Sequence, residues 1–133
     1  MTSPKETPFT TGSGLNRLVS AARNSWRGLS CAWRLEAAFR QEVLLALVLL
    51  PIALAVPVGA AERGLLLLTL GLVLVVELLN SAVEAVVDRI SLERHDLSGR
   101  AKDLGSAAVL LALLTLVTVW AVILLPLLPH PAA

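Results

Sequence analysis

Residues 43–61, "VLLALVLLPIALAVPVGAA", carry no charged side chain. A stretch of this length and apolarity suits a helix crossing the hydrocarbon core of a bilayer. There the backbone must satisfy its own N–H and C=O groups, so a spanning segment is a helix or part of a closed barrel. Two further stretches repeat the pattern: residues 64–87, if their acidic positions are included, and residues 104–125, "LGSAAVLLALLTLVTVWAVILL". The spacing predicts an all-α membrane protein with three transmembrane helices. At 56% hydrophobic over 133 residues, the chain is too apolar for a soluble domain of its size. Pro51 and Pro57 are expected to kink or end the first span. That span follows a long polar and amphipathic segment, which is unlike a cleaved signal peptide.

Charge sets the predicted orientation. Lys5, Arg17, Arg23, Arg27, Arg34 and Arg40 precede the first span, and Arg63 alone separates the first two. Arg89, Arg94, Arg100 and Lys102 lie between the second and third, and no Lys or Arg follows. Positive charge stays on the cytoplasmic side. The N-terminus and second loop are therefore expected in the cytosol, with the Arg63 turn and the tail "PLLPHPAA" outside. External parts this short suit a bacterial inner-membrane protein. The net formal charge of +1 gives no case for a nucleic-acid partner.

Residues 1–14 are small, polar and rich in Pro and Gly, a composition expected to be disordered. Beyond them Leu15, Leu18, Val19, Ala22, Trp26, Leu29 and Trp33 share one helical stripe, with Arg17, Arg23, Arg27 and Arg34 off it. This predicts an amphipathic surface helix over 15–34, with its tryptophans at the membrane interface. The alternative is the packed foot of the first span. Cys31 is the one cysteine. It rules out an internal disulfide and is expected to be a small buried side chain.

The second span ends in "VVELLNSAVEAVVDR", residues 75–89. Glu77, Asn80, Glu84 and Asp88 recur every three or four residues and stay on one narrow arc, roughly 16 Å long at 1.5 Å per residue. A carboxylate at membrane depth costs several kcal/mol unless neutralised or paired, so this arc must turn away from lipid. It predicts a functional site at the cytosolic boundary; the alternative is a polar seam holding helices together. Glu36, Arg40, Gln41 and Glu42 at the start of the first span, and Lys102 and Asp103 at the start of the third, reach the same level. Glu36 and Arg40 could simply form an ion pair four residues apart. Yet a second carboxylate near Glu84 would suit Mg²⁺, which takes hard oxygen ligands together with substrate phosphates. The chain has no G-x-x-x-x-G-K-[ST] phosphate loop, no protein-kinase signature and no Cys/His zinc spacing. His95 reads as a solvated loop residue, and His130 lies in the tail.

"EAAFRQE" at 36–42, "VELLNSAVEAVVDRI" at 76–90 and "HDLSGRAKDLGSAAV" at 95–109 resemble the bacterial integral-membrane diacylglycerol kinases. The likeness covers about residues 15–125. It implies a homotrimeric helical bundle with active sites shared between protomers, transferring the ATP γ-phosphate to the hydroxyl of a membrane lipid with Mg²⁺. It implies that Glu77 is the catalytic base and that Glu36 and Glu84 coordinate the metal. Arg17, Asn24, Glu36, Glu84, Glu93, Arg94, His95, Lys102 and Asp103 would then contact the nucleotide. Arg17, Trp26, Gln41, Glu42, Glu77 and Ser106 would line the lipid site, and Asn80 and Asp88 would support it. Asn24 stands where the family's best-known branch has an aromatic residue, and Ser20 where a Lys is expected. The tail 126–133 has no counterpart role. A related undecaprenol kinase would share the whole acidic face. A small proton or ion conductor would use Glu77 and Glu84 but has no need of "HDLSGRAKD". A purely structural assembly subunit would tolerate Glu77→Gln.

Overall fold

The computed structural model describes residues 14–90, 93 and 95–129. Among the described residues there is no strand. Helices α1 (Gly14–Leu35), α2 (Ala37–Ala55), α3 (Ala60–Ile90) and α4 (Asp96–Leu124) follow one another, and a 3-10 turn at Leu125–Leu127 closes the series. The expectations for residues 1–13, Arg94 and His130 lie outside the described residues.

Residues up to Cys31 and residues from Ala32 onward form two compact units. In the first, α1 presents Leu15, Leu18, Val19, Trp26 and Leu29 as exposed side chains. Cys31 is exposed rather than buried, because the only side chain α1 buries is that of Ala32.

In the second unit α2, α3 and α4 are each long and apolar enough to cross a membrane. At 31 residues, α3 is about 46 Å long, well beyond a hydrocarbon core of about 30 Å. It packs against both α2 and α4. Its buried side chains, Leu66, Thr69, Leu70, Val73 and Glu77, recur at helical spacing and make one continuous stripe. On α4 the facing stripe is Ala112, Leu116 and Trp120, spaced by four. Leu66, Leu70, Val73, Ala112, Leu116 and Trp120, with Ala53 of α2, form the core. A polar joint sits inside it. Trp120 Nε1 donates to Thr69 Oγ1 at 3.2 Å, while the Thr69 hydroxyl donates to the carbonyls of Leu65 and Leu66. Most of the large apolar side chains on the outer faces are exposed, as suits helices bathed in lipid.

Chain breaks follow local chemistry. Pro51 lies inside α2 without ending it. The helix stops at Ala55 rather than running to residue 61, because Val56 precedes Pro57 and takes up an extended conformation (φ −63°, ψ 141°). Arg63 then reaches back and donates to the carbonyls of Ala53, Leu54, Val56 and Val58. A cation is thus placed at a helix C-terminus, where the dipole favours it. Across the same turn Glu62 accepts from the Gly59 N–H at 2.7 Å. At the other end a single residue, Glu36 (φ −101°, ψ 113°), separates α1 from α2. Arg40 does not pair with it. Its guanidinium instead donates to the carbonyls of Trp33 and Arg34 at 3.1 and 3.2 Å, closing the end of α1.

A candidate active site at the polar end of three helices

The acidic arc of α3 runs from buried to exposed. Glu77 is 3% exposed, Asn80 and Glu84 are half-buried, and Asp88 is exposed. Glu77 extends the core stripe by one step, so its carboxyl faces the bundle and not lipid. Asn80 Nδ2 donates to Glu84 Oε1 at 3.1 Å, a contact that the four-residue spacing allows. Beyond it Asp88 Oδ1 is paired with Lys102 Nζ of α4 at 2.6 Å, with both side chains roughly half-exposed. A pair so open to solvent contributes little to stability. It ties the C-terminal end of α3 to the N-terminal part of α4.

Two cavities flank this arc. The inner one, about 230 Å³, is lined by Glu36, Glu77, Asn80, Glu84 and Ser106, with Ala38 and Val109 as its apolar wall. Three chain segments meet here: the link before α2, the middle of α3 and the start of α4. The outer cavity, about 540 Å³, lies in the turn between α3 and α4. Its polar lining includes Asp88, Glu93, His95, Arg100, Lys102 and Asp103. One turn of α3 separates Glu84 in the first from Asp88 in the second.

The structure thus gathers Glu36, Glu77, Asn80, Glu84 and Ser106 in one cavity, and Asp88, Glu93, His95, Lys102 and Asp103 in another. Gln41 is exposed on α2, and Glu42 is 8% exposed, with one carboxylate oxygen left without a hydrogen-bond partner. Arg17, Asn24 and Trp26 are exposed on α1. His95 is exposed and lies outside the helix, as expected of a solvated loop residue. It is the N-cap of α4, and its Nδ1 accepts from the Leu97 N–H at 3.2 Å, which satisfies one of the helix's open donors.

Sequence reasoning passed over Gly105, against which Asn80 is packed, and the Thr69–Trp120 joint. A small residue in "KDLGSAAV", one turn beyond the charged block, was the available signal for the first. Nothing in the local pattern of Thr69 or Trp120 announces that they meet.

Among the described residues no three His, Cys, Asp or Glu side chains form a ready-made metal cage. The donor set in the inner cavity is two half-buried carboxylates, Glu36 and Glu84, beside the buried Glu77. Hard oxygen ligands few in number fit Mg²⁺, which is commonly held by one or two carboxylates together with phosphate oxygens.

The family model described as prokaryotic diacylglycerol kinase matches residues 23–124. The chain belongs to the prokaryotic diacylglycerol kinase family. It is 53% identical over 111 residues to the diacylglycerol kinase of Escherichia coli strain K12, covering 84% of this chain and 91% of the relative. With that of Pseudomonas aeruginosa it shares 52% over 118 residues, 89% of this chain and 96% of the relative. With that of Helicobacter pylori strain 26695 it shares 44% over 107 residues, 80% of this chain and 84% of the relative. Every candidate site residue of this diacylglycerol kinase family member falls inside the segment matched by the family model, except Arg17.

Proposed function

We propose that this membrane lipid kinase phosphorylates the hydroxyl of diacylglycerol to give phosphatidic acid, with ATP as donor and Mg²⁺ as cofactor. Relatives across several bacteria carry the name diacylglycerol kinase, and this favours diacylglycerol over an isoprenoid alcohol as substrate. The observation that carries the reading is the inner cavity. A carboxylate buried in the bundle, Glu77, shares it with two further, half-buried carboxylates, Glu36 and Glu84.

In this reading Glu77 accepts the proton of the lipid hydroxyl as its oxygen attacks the γ-phosphorus of ATP. The P–O bond to ADP breaks, and phosphatidic acid and ADP leave. Catalysis of such a transfer is mainly positioning and charge stabilisation. Glu36 and Glu84 would hold Mg²⁺, which when bound neutralises charge on the phosphate oxygens. Lys102 and Asp103, with Glu93 and His95, would hold the nucleotide in the outer cavity, Arg94 would also contact it, and Lys102 would exchange its Asp88 partner for phosphate. Asn80 orients Glu84, and Asp88 holds Lys102 until nucleotide arrives. Arg17 and Asn24 would complete the nucleotide site; Arg17, Trp26, Gln41, Glu42 and Ser106 would line the lipid path.

The assembly we propose is a homotrimer in the bacterial inner membrane, with residues 15–125 as the kinase unit. The N-terminus and the turn between α3 and α4 would be cytosolic, the C-terminus periplasmic, and α1 would lie on the cytosolic surface. Exposed apolar side chains along all three spans supply the faces that self-association would cover, and closed symmetry is its usual outcome.

The test is Glu77→Gln, which keeps shape and loses proton affinity. The variant should assemble and bind nucleotide like the parent, while turnover falls about 100-fold or more, the scale of general-base catalysis. Turnover near that of the parent removes Glu77 from the mechanism.

A further inference from the structure

Gly105 of α4 faces Asn80 of α3. A Cβ added at Gly105 would collide with Asn80 Oδ1, would come within 3.3 Å of Asn80 Cγ, and would lie 3.9 Å from Asn80 Cα. Gly64, Gly71 and Gly99, on the same two helices, have open space around the same position. The tight approach is therefore particular to this point. Small residues let membrane helices close on each other, and here the room is filled by a polar side chain.

The Asn80 carboxamide is held at both ends. Its Oδ1 is buried, has no N–H or O–H partner, and lies against the space that Gly105 leaves. Its Nδ2 donates to Glu84 Oε1 at 3.1 Å. A carboxylate only accepts, so the nitrogen is the end that must face Glu84. With the oxygen occupying the space a Cβ at Gly105 would take, the N–H₂ group is directed along α3 to Glu84.

We infer that Gly105 is a positioning residue. It admits the Asn80 carboxamide into the α3–α4 interface in the orientation that hands an N–H to Glu84, and so sets how Glu84 presents its carboxylate to a divalent cation. The inference rests on the proposed metal role of Glu84. Hydrogen-bond partners that orient a metal ligand commonly account for about 10- to 100-fold in metal affinity.

The test is direct binding of Mn²⁺, as a paramagnetic stand-in for Mg²⁺, to full-length protein in micelles with a non-hydrolysable ATP analogue, followed by electron paramagnetic resonance. Gly105→Ala and Asn80→Ala should each weaken Mn²⁺ binding about 10-fold or more. The double variant should be no worse than Asn80→Ala, because the two changes break the same contact. A purely structural glycine would lower thermal stability and leave Mn²⁺ affinity alone; that result, or additive losses, overturns the inference. Glu84→Gln separates the failures. Normal Mn²⁺ binding there overturns the metal role of Glu84, and this inference with it. Impaired binding there with normal binding in Gly105→Ala overturns the inference only. If Gly105→Ala does not assemble, Gly105→Ala/Asn80→Ala is measured in its place. Recovered assembly with the affinity of Asn80→Ala supports the collision, and no recovery overturns it.

Discussion

Thr69→Val keeps the shape of the side chain and deletes the acceptor for Trp120 Nε1. Both residues are buried, Thr69 at 4% exposure and Trp120 at 6%, so the orphaned indole N–H finds no water. A buried donor left unpaired costs about 1–3 kcal/mol, whereas interhelical polar pairs in membranes average about 0.6 and reach about 1.7 kcal/mol. The membrane value bounds the estimate, because the unfolded helices also find partners. The missing acceptor then pushes it to the upper end, near 1.5 kcal/mol, or about tenfold in the folding equilibrium. In a Trp120→Phe background the donor is already gone, and the Thr69 hydroxyl keeps its bonds to Leu65 and Leu66. The same change should then cost close to nothing. The assay is a four-variant cycle of reversible unfolding, titrating denaturing into mild detergent and following helix content by circular dichroism. Saturated turnover should be unchanged, because Thr69 lies about 12 Å along α3 from Glu77. A Thr69→Val protein within about 0.3 kcal/mol of the parent, or an equal loss in the Trp120→Phe background, would refute the reasoning.

Glu36→Gln and Glu84→Gln should each raise the Mg²⁺ midpoint of phosphorylation at fixed ATP, since an amide is a poorer ligand for a hard cation; unchanged midpoints in both would place the ion elsewhere. Chelating the metal should abolish turnover, and added Mg²⁺ should restore it. Arg63→Ala removes the donor that closes the C-terminus of α2 and should destabilise the α2–α3 turn by about 1–3 kcal/mol, read in the same detergent titration. Inactive Glu77→Gln and inactive Asp103→Asn proteins, unfolded and refolded together, should regain activity if sites are shared between protomers; a mixture as inactive as its parents, with chain exchange demonstrated, places each site within one protomer.

The sequence made the helices and the acidic arc readable for physical reasons. Uncharged apolar runs admit few backbones in a membrane, and the spacing of Glu77, Asn80, Glu84 and Asp88 fixes one face whatever surrounds it. Pro57 even marked where α2 would fail. Contacts between helices were less legible. Arg63 counted as a lone external charge, and nothing local said that its guanidinium would be absorbed by four carbonyls of the preceding turn. Lys102 and Asp103 read as lying at the start of the third span, and α4 begins earlier still, at Asp96 behind the His95 cap. Cys31 was expected inside because small thiols usually are, a prior that does not hold for a helix burying so little. The burial of Glu42 at 8% exposure comes from packing that no pattern on α2 alone could express.

The proposed reaction moves the γ-phosphate of ATP onto a lipid hydroxyl. The most direct measurement offers purified protein in mixed micelles γ-labelled ATP and Mg²⁺, with diacylglycerol and undecaprenol side by side, and separates the lipid products. Labelled phosphatidic acid is expected from the parent protein and almost none from Glu77→Gln. Label in undecaprenyl phosphate instead would contradict the substrate, and no labelled lipid from assembled, nucleotide-binding protein would contradict the function itself.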